Sequence, residues 1–305
     1  MPNSVPDRRE RMAKALLSLE GLSLGDAFGQ RFFRPEETAL SLIDSRVLPD
    51  RPWYYTDDTV MAIAVVETLG QFGAIERDYL AQTLARQYQQ ESDRGYGSTA
   101  RRILREISEG KVWQEAAKSA FDGMGSMGNG AAMRSAPIGA YFFDDYHKVV
   151  AEAKAASEVT HAHLEGQAGG IAVAVAAAYC SRHQSTDLNA FELLENTVKF
   201  TPESETKSRL QQALLMTYPT NIEYVIRYLG NGSKLCSFDT VPISLWFAAH
   251  NLQDFSEAIW QAVGVLGDRD TICAIVGSIV SLAMGRDNLP RSWLECRENL
   301  PKIPA

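Results

Sequence analysis

Apolar residues along the chain recur mostly at spacings of three and four, the period of one face of an α-helix. Met12, Leu16, Leu17 and Leu19 open the first stripe, and Val60, Ile63, Ala64 and Leu69 form another. Tyr79, Leu80, Leu84 and Tyr88 repeat the pattern, as do Ile103, Ile107 and Val112. Leu164 to Ala178, Phe255 to Val265 and Thr271 to Met284 are apolar on nearly every face, which assigns them to the centre of the molecule. Period-two runs separated by turn pairs are absent. The pattern predicts an all-α protein. No Pro/Gly/Ser-rich linker, charge block or fixed-period repeat divides the chain. A single compact multi-helix domain is therefore expected over 1–305, with its core from about 8 to 286 and a C-terminal tail at 287–305.

Two of the buried segments are rich in small residues. Gly166, Ala168, Gly169, Gly170, Ala172 and Ala174 form one, and Ala274, Gly277, Ser278, Ser281, Ala283 and Gly285 the other. Glycine within a helix costs about 1 kcal/mol against alanine. Close helix–helix approach is the expected compensation.

Composition changes this picture little, since 45% hydrophobic and 22% charged residues are ordinary for a globular chain. The N-terminus lacks the apolar core of a signal peptide. The longest apolar stretch, Ile171 to Cys180, is half the ~20 residues that span a bilayer, so no membrane association is expected. Cys180, Cys236, Cys273 and Cys296 form no CxxC pair and read as reduced thiols, which favours a cytoplasmic protein. A net charge of −8 with no basic stripe argues against general nucleic-acid binding. An acidic chain still binds anionic ligands where metals and backbone NH groups supply local positive potential.

Candidate chemistry begins at Tyr55-Thr56-Asp57-Asp58-Thr59, directly before the stripe that opens at Val60. Capping by Thr56 or Asp57 is one reading, because acids in a first turn complement the helix dipole. Leu266-Gly267-Asp268-Arg269-Asp270-Thr271 stands in the same relation to a buried helix. Asp268 and Asp270 flank one residue and can converge in a turn, with Gly267 allowing tight backbone geometry. Capping is again the plain alternative. Yet paired like charges feeding an apolar helix resist burial unless a cation joins them. Taken together, the two clusters offer carboxylates and hydroxyls, hard oxygen donors suited to Mg²⁺ or Mn²⁺. No Cys/His set has the spacing of a zinc site.

The richest loop runs from Phe121 to Gly130 and contains a formal GxGxxG at Gly123, Gly125 and Gly128. A dinucleotide fold needs a strand before that motif, whereas Trp113 to Phe121 reads as helix, so a Rossmann site is excluded. The loop is either a flexible connector or a cradle whose backbone NH groups hold a pyrophosphate. Thr160-His161-Ala162-His163 precedes the small-residue helix. These two histidines are either ordinary, partly buried residues or ring donors to a ribose or phosphate. His147, His183 and His250 carry no motif.

In this order the pieces resemble the ADP-ribosylglycohydrolase family. The resembling segments are Gly21-Leu22-Ser23-Leu24-Gly25-Asp26-Ala27-Phe28-Gly29, Thr56 to Thr59, and Gly128-Asn129-Gly130 through Ala136-Pro137-Ile138-Gly139. Thr160 to Gly166 and Gly267 to Thr271 complete the set, which spans about Gly21 to Gly285. The resemblance implies a single all-helical domain with two Mg²⁺, sometimes Mn²⁺, at the base of a cleft. It makes Thr56, Asp57, Asp58, Asp268, Asp270 and Thr271 the metal ligands. Gly123, Met124, Gly125 and Ser126 become the pyrophosphate loop, and Asn129, Met133, His161 and His163 lie near ribose or nucleotide. The implied activity is hydrolysis of the C1″ glycosidic bond between ADP-ribose and a protein or small-molecule acceptor, with Asp57 or Asp58 orienting the water. A non-catalytic ADP-ribose binder on the same fold is the alternative. Prenyl-diphosphate chemistry would want a third Asp one turn on, where Val60, Met61 and Ala62 stand.

Three departures from the family pattern matter. Leu266 replaces a usual second glycine, and Arg269 separates the two carboxylates. No glutamate closely follows the first glycine motif, the nearest being Glu36 and Glu37.

Overall fold

The computed structural model describes residues 6–183 and 187–303. Within them the chain forms α1 (Arg8–Gln30), α2 (Glu36–Asp44), α3 (Asp57–Phe72), α4 (Arg77–Gln90), α5 (Ser98–Ser108) and α6 (Trp113–Lys118). There follow α7 (Ala136–Tyr141), α8 (Tyr146–Glu158), α9 (Leu164–Arg182), α10 (Ala190–Phe200) and α11 (Glu205–Leu215). The last five are α12 (Ile222–Leu229), α13 (Ser237–His250), α14 (Phe255–Val263), α15 (Arg269–Met284) and α16 (Arg291–Leu294). Among the described residues, extended pairing is limited to isolated bridges at Trp53–Arg297 and Gly128–Cys236. The all-α expectation holds, and one hydrophobic core joins the helices.

The closest packing is between α1 and α15, and glycine makes it possible. A Cβ on Gly21, Gly25 or Gly29 would fall inside contact distance of the carbonyls of Gly277, Cys273 and Arg269 respectively. The partners descend in number as α1 advances, so the helices run antiparallel. Ser18 Oγ donates to the Ser278 carbonyl, and Ser281 Oγ to that of Leu17, which fixes the register. Backbone-to-backbone approach of this kind needs residues without a Cβ. It sets the last turn of α1 beside the first turn of α15. Gly139 of α7 meets the Ala174 carbonyl of α9 in the same way.

Four details differ from the sequence expectations. Ile103 and Ile107 are buried on α5, but that helix ends at Ser108, and Val112 is exposed at the start of α6. The helix expected over Trp113–Phe121 stops at Lys118, and Phe121 and Asp122 adopt left-handed backbone (φ 51° and 56°). The apolar run of Phe255 to Val265 is helical only to Val263. The segment after 286 packs back onto the domain. Trp293 is buried against Phe28, Trp53 and Trp260, stacked on Phe28 at 4.5 Å. The amide of Trp53 donates to the Cys296 carbonyl, and that of Glu298 to the Trp53 carbonyl. The C-terminal segment thus clamps the strand-like stretch that leads into Thr56.

Candidate active site

Three helix ends meet at one point: the last turns of α1 and the first turns of α3 and α15. Asp26, fully buried on α1, organises the first contact. Its carboxylate accepts from the amide and hydroxyl of Thr56 (2.9 Å each) and from the amide and hydroxyl of Thr59 (3.1 and 2.5 Å). Thr56 in turn caps α3, its Oγ1 accepting from the Asp58 amide. Capping is therefore done by Thr56, and the Asp57 and Asp58 side chains are left for other work. The approach to Thr56 is held by Glu298, which accepts from the Tyr55 amide and the Arg94 guanidinium, while the Arg94 carbonyl accepts from the Asp57 amide.

At α15, Asp268 stands at the N-cap position yet its side chain makes no capping bond. Instead it accepts from Asn129 Nδ2 at 2.5 Å, which ties the glycine loop to this helix end. Asp270 Oδ1 accepts from the Thr271 amide. Leu266 takes the left-handed conformation (φ 58°) where glycine would be unstrained, a cost of roughly 1–2 kcal/mol. Gly267 lies directly on Asn231, whose carbonyl accepts from the Asp268 amide. Arg269 points away from the carboxylates: it donates to the Phe32 carbonyl and lies over the Phe33 ring. Its charge still lies within electrostatic range of Glu36 and Asp270. Glu36 and Glu37 are exposed at the start of α2.

The five aspartates feel one another. Burial, reinforced by the neighbouring carboxylates, pushes Asp57 up to about 7, Asp268 to about 8 and Asp270 to about 7. Asp26 rises to about 6 through burial, held down by its four Thr donors. Asp58, 2% exposed, is raised well above the carboxylate range by burial and by all four of the others. Its Oδ2 is buried with no hydrogen-bond partner among the described residues. A buried carboxylate with a partnerless oxygen, repelled by four other carboxylates, is the environment a cation relieves. Among the described residues no three His, Cys, Asp or Glu side chains are already arranged as a metal cage. The donor set nevertheless fits Mg²⁺ or Mn²⁺, because Mg²⁺ retains several waters and takes only one or two carboxylates directly. Thr56, Asp57, Asp58, Asp268, Asp270 and Thr271 are all at this junction.

The glycine loop has a constrained backbone. Gly123 and Gly125 have φ of 89° and 80°, and a Cβ on Gly125 would collide with the His163 amide and Ala162. The amides of Met124 and Gly125 are spent on the Phe121 and Ala120 carbonyls, and that of Gly128 on Ser126 Oγ. Among the described residues no acceptor pairs with the amides of Gly123, Ser126 and Met127, nor with those of Phe121, Asp122 and Gly130. The Met124 side chain is exposed, and Met133 is buried beneath the loop. His161 is buried, with Nδ1 bound to the Thr160 hydroxyl, whereas His163 is the N-cap of α9, accepting from the Glu165 amide. A cap explains His163 without a ligand.

Several contributors escape a reading by local motif. Asp26 had a signal, a carboxylate inside an otherwise apolar helix face. Asn231 and Glu298 had none. Tyr96, whose hydroxyl is buried without a hydrogen-bond partner among the described residues, is raised above the tyrosine range by burial and by Asp57.

Comparisons with known proteins identify the family and the fold. The sequence model of the family described as ADP-ribosylglycohydrolase matches residues 4–304. The human protein named ADP-ribosylhydrolase ARH3 is 29% identical over 274 residues, 80% of this chain and 75% of that protein. ADP-ribosylarginine hydrolase Tri1 of Serratia proteamaculans is 25% identical over 308 residues, covering 96% of this chain and 77% of that protein. A solved structure of an ADP-ribosylglycohydrolase-related protein complex superposes with a TM-score of 0.65 at 22% identity, over 95% of this chain and 94% of that one, and shares the fold.

Proposed function

The chain belongs to the ADP-ribosylglycohydrolase family, and from that premise we propose that it is a Mg²⁺- or Mn²⁺-dependent hydrolase that releases ADP-ribose from an acceptor by cleaving the C1″ glycosidic bond. The observation that carries the reading is the mutual repulsion of Asp57, Asp268 and Asp270 with the buried Asp58, whose Oδ2 has no hydrogen-bond partner among the described residues. Bound divalent cations supply Lewis acidity to ribose oxygens and lower the pKa of water. Asp58, Asp268, Asp270, Thr56 and Thr271 hold them in this reading. Asp57 is the more accessible of the α3 pair, which supports giving it the proton taken from the attacking water and Asp58 the cation. The electron pair of the C1″ bond leaves with the acceptor, which takes up the proton that Asp57 removes from water; positive charge develops on the ribose ring, as in other glycoside hydrolysis, and the carboxylate cluster favours it. The amides of Gly123, Ser126 and Met127 suit the pyrophosphate. The relatives named for ADP-ribosyl hydrolysis support the class of bond and leave the acceptor open between arginine, serine and smaller groups.

Incubation of the purified protein with ADP-ribosylated arginine, serine and small-molecule substrates in Mg²⁺ is expected to yield free ADP-ribose from at least one. Tight ADP-ribose binding with no turnover of any would instead make the protein a binder on this fold.

Gly125→Val is expected to raise the Michaelis constant and weaken ADP-ribose binding by an order of magnitude or more, because the side chain would displace both the loop and the backbone of 162–163. Cation affinity, measured separately by calorimetry, should fall much less, since the loop reaches the proposed ligands only through the Asn129–Asp268 bond. Unchanged ADP-ribose affinity would reduce the loop to a connector.

A further inference from the structure

Arg134 is fully buried and meets no carboxylate directly. Its Nη1 donates to the Gly130 carbonyl at 3.1 Å, and its Nη2 to the Ala156 carbonyl at 3.1 Å and to Thr160 Oγ1 at 2.8 Å. Thr160 Oγ1 lies 2.8 Å from His161 Nδ1, and Thr160 is itself buried. A guanidinium only donates, so one lone pair of the Thr160 oxygen is occupied by Arg134. The single hydroxyl proton then has one acceptor within reach, the Nδ1 of His161. The opposite arrangement, with Nδ1 donating, would leave that hydroxyl proton buried and unpaired.

We propose that the Arg134–Thr160 pair is a positioning device that locks His161 as the Nε2–H tautomer, so that the ring serves as a hydrogen-bond donor to a ligand oxygen at the glycine loop. This rests on the reading that the loop receives an ADP-ribosyl group. The surroundings of the ring support it. A Cβ at Gly128 or Gly130 would lie 3.4 Å from His161 Nε2, and one at Gly166 would lie 3.0 Å from Cδ2. Three glycines thus leave the Nε2 edge uncovered, and among the described residues Nε2 has no hydrogen-bond partner of its own. The Thr160 hydroxyl holds the Nδ1 edge and the three glycines pack along the other, while the backbone of His161 is fixed by its amide, which donates to the Ser157 carbonyl, and by its carbonyl, which accepts from Gln167 Nε2. Burial and the neighbouring Arg134 charge lower His161 to about 3, which keeps the ring neutral at physiological pH and preserves one defined donor. A ribose hydroxyl or phosphate oxygen is the matching acceptor.

The test reads the ring directly. In ¹⁵N-histidine-labelled, ligand-free protein at neutral pH, His161, assigned by loss of its signals in His161→Gln, should show a protonated Nε2 and a bare Nδ1. Thr160→Ser should keep that signature. Thr160→Val and Arg134→Met should mix the tautomers, and Thr160→Val should weaken ADP-ribose binding in Mg²⁺ about tenfold while raising KM more than it lowers kcat. If Arg134→Met does not fold, Arg134→Lys, which keeps the charge and one donor, should retain the signature and Thr160→Val decides. A protonated Nδ1 in the wild type, or an unchanged signature and ADP-ribose affinity in Thr160→Val, would overturn the proposal. Failure of the wild type to bind ADP-ribose would overturn the functional reading instead, since the ring signals are measured without ligand.

Discussion

Removal of divalent cations is expected to abolish release of ADP-ribose, with rates falling by at least about a thousandfold, the scale of several kcal/mol that metal-ion catalysis supplies. Mg²⁺ or Mn²⁺ added back should restore turnover. The physical basis is the carboxylate junction: burial and mutual repulsion raise Asp57, Asp268 and Asp270 to about 7–8, so without a cation the site holds protons near neutral pH. The same shifts give stability a sign. These groups bind protons more tightly folded than unfolded, so metal-free stability is largest below the ordinary carboxylate range and is lost as pH rises through about 7–8. Added Mg²⁺ should therefore raise the melting temperature more at pH 8 than at pH 5. At a hundredfold excess over Kd the gain would be about 2.7 kcal/mol, or roughly 4 °C for a chain of this length. Scanning calorimetry at both pH values, run beside the activity assay, checks this. Full turnover after exhaustive chelation would remove cations from the mechanism.

The second large effect belongs to Asp26. Asp26→Ala would strand the amides and hydroxyls of Thr56 and Thr59, four donors that now share one carboxylate. Two effects compete. Losing a charge relieves repulsion on Asp57, Asp58 and Asp270, while orphaning buried donors costs about 1–3 kcal/mol each before rotation of the hydroxyls and entry of water reduce it. The second should win, for a net loss of about 3–5 kcal/mol, the range for breaking a buried polar network. Asp26→Asn keeps one acceptor oxygen and should cost less, about 2 kcal/mol. Both should lose activity beyond their loss of folded protein, because the Thr56–Thr59 turn aims Asp57 and Asp58. Denaturant melts in the absence of cations, paired with turnover per folded molecule, measure the two losses separately. Wild-type stability in Asp26→Ala would mean that water satisfies the threonines.

How far the site could be read in advance depended on distance along the chain. Asp57-Asp58 and Asp268-Asp270 stood out because each pair is local and sits where a helix begins. The choice between capping and other work was not local. Thr56 does the capping at α3, and at α15 Asp268 is turned to Asn129 instead. Arg269 looked ambiguous in sequence for the same reason: its direction is set by the Phe32 carbonyl and the Phe33 ring at the end of α1. Val112 fitted a helical spacing yet is exposed, since α5 had already ended at Ser108. Spacing says which residues share a face only while the helix lasts.

The all-helical class, several of the helices and the residue types capable of the chemistry were legible in the chain, because a 3.6-residue period and a cluster of hard oxygen donors are properties of short segments. Tertiary structure alone decided which helix ends meet. The glycines of α1 allow carbonyls of α15 to approach, and that contact carries Asp26 to Thr56 and Thr59. The stacking of Trp293 on Phe28 turns a segment with no visible motif into the clamp that holds Tyr55 through Glu298. Apolar burial is non-directional, so a stripe of leucines and alanines specifies that a face must be covered and leaves open by what. The partner is chosen by shape and by the pairing of buried polar groups, and both exist only once distant segments are in contact.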